Sequence, residues 1–171
     1  MKLARLGLLL CLATAGIAGA AAAQSKAPDD FSSLTPAPHK NRQYVTYDSE
    51  QQIVAAGKPA VLELRFRVVD GFHINSHLPQ SDLQMPTQIA LTPVGGVSVG
   101  RPAYPAGTLF SFSFSPGDKL DVYQGEFIVR IPVTAAAGTY QLAGVLHYQA
   151  CDHAACYPPK ALPIGIVLLA K

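Results

Sequence analysis

The feature that most constrains the fold is an alternation of apolar and polar side chains, with a period of two residues, along most of the chain. Successive strand residues point to opposite faces of a sheet, so this period favours strands with one buried and one solvated face. The alternating runs are Leu62–Val68, Phe110–Phe114, Phe127–Val133, Leu142–Tyr148 and Ile164–Leu168. Ser49–Ala56 is the only stretch that could form a short helix, and Gly57-Lys58-Pro59 would end it.

Turn-forming residues separate these runs. They are Asp70-Gly71, Gly95-Gly96, Pro105-Ala106-Gly107, Pro116-Gly117-Asp118 and Ala137-Gly138. Many short strands divided by turns, with no long helical period, predict an all-β fold. The expected architecture is an immunoglobulin-like antiparallel β-sandwich, and a small barrel is the alternative.

The N-terminal segment has the pattern of a secretory signal. Lys2 and Arg5 form a basic start, an apolar stretch follows, and Ala21-Ala22-Ala23 offers a cleavage site before Gln24. The apolar stretch is too short and too rich in alanine for a membrane span. We therefore expect a soluble exported protein with no membrane insertion after signal cleavage, and Cys11 is removed with the signal.

The predicted organisation is a signal peptide at residues 1–23, a flexible leader at 24–41 and one folded domain at 42–171. The chain has 13 Lys and Arg against 11 Asp and Glu, and two of the basic residues lie in the signal. The remainder is near neutral, which gives no sign of a nucleic-acid partner. A nucleophile elbow and a glycine-rich phosphate loop are both absent from the sequence, so hydrolase and nucleotide-binding functions are disfavoured.

Cys151 and Cys156 are the only cysteines outside the signal. The loop between them, Asp152-His153-Ala154-Ala155, is the length of a hairpin connection. Such a loop sets its flanking residues opposite each other with Cα atoms about 4.5–5.5 Å apart. A disulfide accepts about 4.4–6.8 Å, so this pair can open and close without a large backbone movement.

Three interpretations of the pair follow. A structural bridge over so short a loop would stabilise the fold by only about 2 kcal/mol, and a domain of this size has a core without it, so the spacing favours thiol–disulfide exchange. A binding module with a structural hairpin disulfide is the first alternative. A metal site that uses both cysteines with His73 and His77 is the second. Exchange itself requires only thiolate, disulfide and access, so we expect neither a cofactor nor a metal.

Four neighbours of the pair are candidates for supporting roles. A cation favours the attacking thiolate, so His153 could supply charge or shuttle a proton; otherwise it is a solvated loop residue. Asp152 would oppose thiolate formation or take up a proton; otherwise it serves the turn. Tyr148 and Tyr157 could wall off the sulfurs, or simply pack at the strand ends.

Tyr148-Gln149-Ala150-Cys151, four residues, then Cys156-Tyr157-Pro158-Pro159 resembles the N-terminal periplasmic domain of the bacterial transmembrane thiol:disulfide interchange reductases, the DsbD family. Asp70-Gly71-Phe72-His73-Ile74-Asn75 is similar to a segment of that family's stand-alone relatives, often labelled disulfide bond corrector domains. Asp121-Val122-Tyr123-Gln124-Gly125-Glu126 is similar to their segment before the next strand. The resemblance covers roughly residues 44–169.

The resemblance implies an immunoglobulin-like sandwich with a redox-active pair in a hairpin. Cys156 would form the mixed disulfide with partners, and Cys151 would resolve it. The partners would be periplasmic: a thioredoxin-like electron donor and exported thiol oxidoreductases. Family members shield the pair with an aromatic cap loop, for which the Phe110–Asp118 stretch is the expected place here, with Phe112 or Phe114 as the lid; packing on one strand face is the alternative for both.

Two departures from the family pattern qualify this interpretation. The best-known members have one more residue between the two cysteines. They also continue into membrane helices and a thioredoxin domain, whereas this sequence stops at Lys171. We therefore expect the domain to meet its electron source in trans, for example a membrane reductase. If it is an enzyme, it is a thiol–disulfide oxidoreductase that relays electrons.

Overall fold

The computed structural model describes residues 42–81, 84–112 and 115–171. The predicted signal peptide with Cys11, the predicted leader and the cap candidate Phe114 all lie outside the described residues.

The described residues form twelve strands and no helix. The strands are β1 (Val45–Asp48), β2 (Gln52–Val54), β3 (Ala60–Val68), β4 (His73–Asn75), β5 (Gln88–Leu91), β6 (Val97–Val99), β7 (Thr108–Phe112), β8 (Ser115–Tyr123), β9 (Glu126–Ala135), β10 (Gly138–Tyr148), β11 (Ala150–Cys151) and β12 (Lys160–Ala170). Within this part of the chain, then, there is also no helix long and apolar enough to cross a membrane.

Two four-stranded sheets form the sandwich, in the orders β1-β3-β9-β6 and β2-β12-β10-β5. The alternation places Leu62, Leu64 and Phe66 of β3 on the inner face of the first sheet, and β9 buries every second residue in the same way. Leu146 of β10 and Ile166 of β12 belong to the same hydrophobic core. Each such side chain stabilises the fold by roughly 1.5–3 kcal/mol on burial. The predicted all-β, immunoglobulin-like sandwich is confirmed.

A third sheet, in the order β11-β4-β8-β7, carries the cysteine segment. Its strand β4 follows the predicted turn at Asp70-Gly71, where Gly71 takes a positive φ of 81° that an L side chain rarely adopts. All three residues of β4 are buried, including the polar His73 and Asn75. This strand therefore brings polar side chains into the interior beside the cysteines.

Two expectations from the sequence are wrong. Ser49–Ala56 contains no helix; Gln52–Val54 form β2, which pairs in parallel with the end of β12, because sheet hydrogen bonds there outweigh local preference. Pro116-Gly117-Asp118 is not a turn, since its backbone continues strand β8. Phe112 already pairs with Ser115, so β7 has closed onto β8 before the proline is reached.

Candidate functional site

The cysteine segment is a tight hairpin at the end of β10. Cys151 and Cys156 form an antiparallel bridge with Cα atoms 3.9 Å apart, closer than the spacing predicted, and their sulfurs are joined in a disulfide. The Asp152 N–H donates to the carbonyl of Ala155 at 2.9 Å, and the Tyr157 N–H donates to that of Ala150 at 2.8 Å. The two cysteines therefore face each other across a four-residue loop, as predicted.

The Asp152 carboxylate organises this loop. One oxygen accepts hydrogen bonds from the N–H groups of Ala154 and Ala155 at 2.7 and 2.9 Å, and the other accepts one from the Tyr157 hydroxyl. The hydrogen bond from Tyr157 is the main cause that lowers the pKa of Asp152. The same bond, by holding the phenolic proton, raises the pKa of Tyr157 to about 12. Asp152 therefore stabilises the hairpin turn by accepting these hydrogen bonds.

The two cysteines differ sharply in exposure. Cys151 is 0% exposed, whereas Cys156 lies on the surface. A disulfide is attacked at one sulfur by a thiolate that must approach it closely. The spacing alone did not reveal which cysteine a visiting protein would reach.

His73 is the cross-strand neighbour of the buried Cys151. β11 pairs with β4 so that Cys151 stands opposite His73, and residues opposite each other on one face have Cβ atoms about 4.5–5.5 Å apart. His73 is 1% exposed, and its Nε2 atom has no hydrogen-bond partner. Burial, with a smaller contribution from His153, lowers the pKa of His73 to about 4.

Two phenylalanines of β7 cover this histidine. The ring of Phe110 lies 4.1 Å from the His73 ring and 5.8 Å from the ring of His153. Phe112 packs edge-on against Phe110 at 5.5 Å, and its ring lies 6.1 Å from that of His73. Of the two predicted lid residues, Phe112 is therefore near the cysteine loop. Phe110, which sequence reasoning included in the cap stretch but did not choose as the lid, contacts that loop more directly.

Tyr157 and Tyr148 have different environments. Tyr157 is half-buried and stacks on Tyr44, with ring centroids 5.1 Å apart, at the exit from Cys156. Tyr148 is fully buried; its hydroxyl donates to Gln43 and accepts from the N–H of Tyr44. Burial raises the pKa of Tyr148. Tyr148 thus secures the segment before β1, and its predicted role beside the sulfurs stays a prediction.

A pair of amides braces the hairpin from behind. Asn75 donates from Nδ2 to Gln149 Oε1 at 3.3 Å and to the carbonyl of Met85 at 3.0 Å. Gln149 in turn donates to the carbonyl of Tyr157 at 3.2 Å. The peptide bonds before Pro158 and Pro159 are trans. Sequence reasoning missed these amides, because their partners are distant in the chain.

The metal alternative finds no assembled ligand set. Within residues 42–81, 84–112 and 115–171, no three His, Cys, Asp or Glu side chains come together as metal ligands would. His77 stacks instead on Tyr104, with ring centroids 3.8 Å apart, and its Nδ1 lies 3.0 Å from the carbonyl oxygen of Thr87.

A disulfide held in a hairpin loop on a β-sandwich, with one sulfur exposed, fits the thiol–disulfide interchange class of domains. The family model for the N-terminal part of the thiol:disulfide interchange protein DsbD matches residues 41–165, and this chain belongs to that family. No curated protein sequence matches the chain.

Solved structures similar to this chain include the reduced N-terminal domain of Neisseria meningitidis DsbD, with 24% identity, a TM-score of 0.46, and coverage of 79% of this chain and 90% of that one. The N-terminal periplasmic domain of Proteus mirabilis ScsB shares 17% identity at a TM-score of 0.48, covering 71% of this chain and 43% of that one. A complex between the N-terminal domains of N. meningitidis DsbD and PilB shares 24% identity at a TM-score of 0.45, covering 77% and 86%.

Proposed function

We propose that this domain is a periplasmic thiol–disulfide exchange protein that relays electrons through Cys151 and Cys156. The donor is a thioredoxin-like protein or domain, and the acceptors are exported thiol oxidoreductases. The observation that carries the proposal is the disulfide in the hairpin loop, with Cys156 on the surface and Cys151 buried behind it. Membership of the interchange family supports the same chemistry.

The difference in exposure supports separate roles for the two sulfurs. The donor thiolate attacks Cys156 Sγ; the bond between Cys156 and Cys151 breaks, a mixed disulfide forms, and Cys151 leaves as a thiolate. The donor's second thiolate then attacks the mixed disulfide, so that two electrons have passed to the domain. The reduced domain reverses these steps with an oxidised acceptor: Cys156 attacks the acceptor disulfide and Cys151 resolves the complex.

The loop and its surroundings support this chemistry. Asp152 holds the loop shape, so the two sulfurs stay opposite each other whether the bond is open or closed. The rings of Phe110 and Phe112 lie beside the loop near His153, and Tyr157 follows Cys156; in this proposal they limit the approach of small thiols to the disulfide. In this proposal residues 1–23 direct export, residues 24–41 form a leader, and the electron source is met in trans, for example on a membrane reductase.

The test uses two single-cysteine variants, Cys151→Ser and Cys156→Ser. The probe is a thioredoxin variant that keeps only its nucleophilic cysteine, activated as a mixed disulfide with thionitrobenzoate. Cys151→Ser releases thionitrobenzoate and forms a covalent complex, and Cys156→Ser reacts at least about tenfold more slowly because its thiol is buried. Absorbance of the released dye and non-reducing gels follow the reaction.

The wild-type disulfide supplies the second measurement. Equilibrated with dithiol buffers, it is expected to have a reduction potential above the structural range, which ends at about −300 mV. Equal reactivity of the two variants, together with a bridge that stays oxidised under these buffers, would contradict the relay and favour the binding module with a structural disulfide.

A further inference from the structure

The buried face of the disulfide carries a titratable side chain that the exchange steps above do not use. His73 stands opposite Cys151 in the β4–β11 pair, and both residues are almost completely excluded from solvent. A buried polar atom without a hydrogen-bond partner is rare in folded proteins, and leaving it so costs about 1–3 kcal/mol. The Nε2 atom of His73 is such an atom in the disulfide-bonded state.

The disulfide state explains why this nitrogen has no partner. A disulfide sulfur has no proton to donate and is a poor hydrogen-bond acceptor, whereas a thiol donates and a thiolate accepts. The rings of Phe110 and Phe112 lie 4.1 and 6.1 Å from the imidazole ring and offer it only apolar surface. The group opposite His73 in the strand pair that becomes able to donate or accept a hydrogen bond once the bond opens is the Cys151 sulfur.

The charged and titratable groups around His73 are few. The loop contributes Asp152 and His153, which act on the imidazole in opposite directions: Asp152 raises its pKa and His153 lowers it. Among the side chains that the structure describes, β8, which pairs with β4, carries Lys119, Asp121 and Tyr123. Of these, Lys119 donates to Ser111 and Tyr123 donates to the carbonyl of Pro105. A new negative charge on Cys151 would therefore be the dominant change at this site.

We propose that His73 is the hydrogen-bond partner of the Cys151 sulfur and takes up its proton whenever the disulfide is open. This inference rests on the proposed exchange function. In the resolving step the proton of the Cys151 thiol moves to His73, giving a thiolate beside an imidazolium. The thiolate attacks Cys156 in the mixed disulfide, the partner leaves as a thiolate, and the imidazolium releases its proton to solvent or to that thiolate. His73 returns to the neutral form.

The observed state of His73 agrees with this cycle. With the disulfide closed, burial keeps the pKa of His73 at about 4, so the imidazole is neutral at pH 7 and free to accept a proton. An opposite charge within a few ångströms favours the charged form of a base. The Cys151 thiolate is therefore expected to raise the pKa of His73 and to be stabilised by it in return.

The first experiment needs no substitution in the domain. The His73 ring resonances are followed by NMR against pH in oxidised and in reduced wild-type protein. We expect the titration midpoint near pH 4 in the oxidised form and at a clearly higher pH in the reduced form. The same midpoint in both redox states would overturn the inference, because a purely structural histidine has no reason to respond to the bond.

The second experiment measures the Cys151 thiol in a Cys156→Ser background, where it is the only reactive cysteine of the folded domain. Adding His73→Phe, which keeps an aromatic ring against Phe110, is expected to slow its alkylation by iodoacetamide at pH 7 by about tenfold. The matched control His147→Asn replaces a half-buried histidine of β10 that has no assigned role in the site, and it should change the rate by less than about twofold. Circular dichroism verifies folding, and if His73→Phe does not fold, the NMR measurement decides alone.

The outcomes separate the two proposals. Equal alkylation rates in folded His73→Phe and its parent would overturn the role of His73 while leaving the relay intact. Failure of Cys156 to form a mixed disulfide would instead overturn the relay itself.

Discussion

Strands β10 and β12 are held together by a continuous β-ladder, whereas the loop that joins them is held by fewer and more varied interactions. The two strands pair without interruption from Gly138–Ala170 to Tyr148–Lys160, and both send side chains into the core. The connection after Tyr148 leaves this ladder. It pairs with β4 over only two residues, Ala150 and Cys151, and is otherwise held by a few backbone hydrogen bonds of the hairpin, by side-chain hydrogen bonds and by the disulfide.

The comparison indicates that stability and reactivity are placed in different parts of one hairpin. The ladder reaches the base of the loop, so we expect the sandwich to stay folded when the disulfide opens. A disulfide that joined the two sheets could not open without destabilising the sandwich. The following predictions test this division, and they run from the largest expected effect to the smallest.

Leu146→Ala should have the largest effect on stability. Leu146 is 0% exposed in β10 and stands between Ile89 and Leu162 of the neighbouring strands. Removing its side chain leaves a cavity, so the free energy of unfolding should fall by about 2–5 kcal/mol. Urea unfolding measures this change. The exposed Gln141→Ala on the same strand is the control and should change stability by less than about 0.5 kcal/mol.

Removing the disulfide should cost less. The double variant Cys151→Ala with Cys156→Ala should unfold with about 2 kcal/mol less free energy than the oxidised wild type, because the closed loop is short. Reduction of the wild type by dithiothreitol should reproduce most of this loss. If the free energy of unfolding fell as much as it does for Leu146→Ala, the disulfide would be a main source of stability. The proposed division between a stabilising ladder and a reactive loop would then be wrong.

Asp152→Asn should have the smallest effect, about 1 kcal/mol, since it weakens the hydrogen bond from Tyr157 and those from the loop backbone. The pKa of Asp152 is lower in the folded than in the unfolded chain, so its carboxylate stabilises the fold above pH 4. This contribution is lost as the pH falls below about 4, through the folded-state pKa.

The pH dependence of Asp152 offers a direct check. Thermal unfolding of the wild type and of Asp152→Asn between pH 2 and 7 should converge at the acid end and separate at pH 7. Tyr157→Phe removes only the phenolic donor to this carboxylate. It should therefore show part of the loss of stability seen with Asp152→Asn at pH 7. Parallel curves at every pH would contradict the assigned role of the carboxylate.

Local patterns in the sequence predicted the sandwich and the hairpin well. The alternation at Leu62–Val68 and the loop between the cysteines are properties of consecutive residues, and strand periodicity and loop length follow directly from them. What failed depended on distant partners. Gln52–Val54 is a strand only because the end of β12 lies beside it.

The candidate site shows the same limit. The two cysteines and Asp152 were identified because they are neighbours in the chain, but His73 entered only as a possible metal ligand and as part of a segment similar to the family's relatives. Its register with Cys151 comes from the pairing of β4 with β11, which joins residues far apart in sequence. Phe110 was placed in the expected cap stretch but not chosen as its lid, because the alternating phenylalanines look alike in sequence and only the folded structure distinguishes the ring that contacts the cysteine loop.

The antiparallel ladder also determines how the domain is best attached to a surface or a tag. Lys171 follows the last residue of β12, which pairs with Gly138, so it stands roughly 35 Å along the strands from the cysteine loop. Arg42, by contrast, lies 4.8 Å from the ring of Phe72, in the aromatic group that includes Tyr157. A label or resin linkage at Lys171 therefore leaves the disulfide accessible to a partner protein. A fusion that begins at Arg42 starts beside the aromatic group next to Cys156.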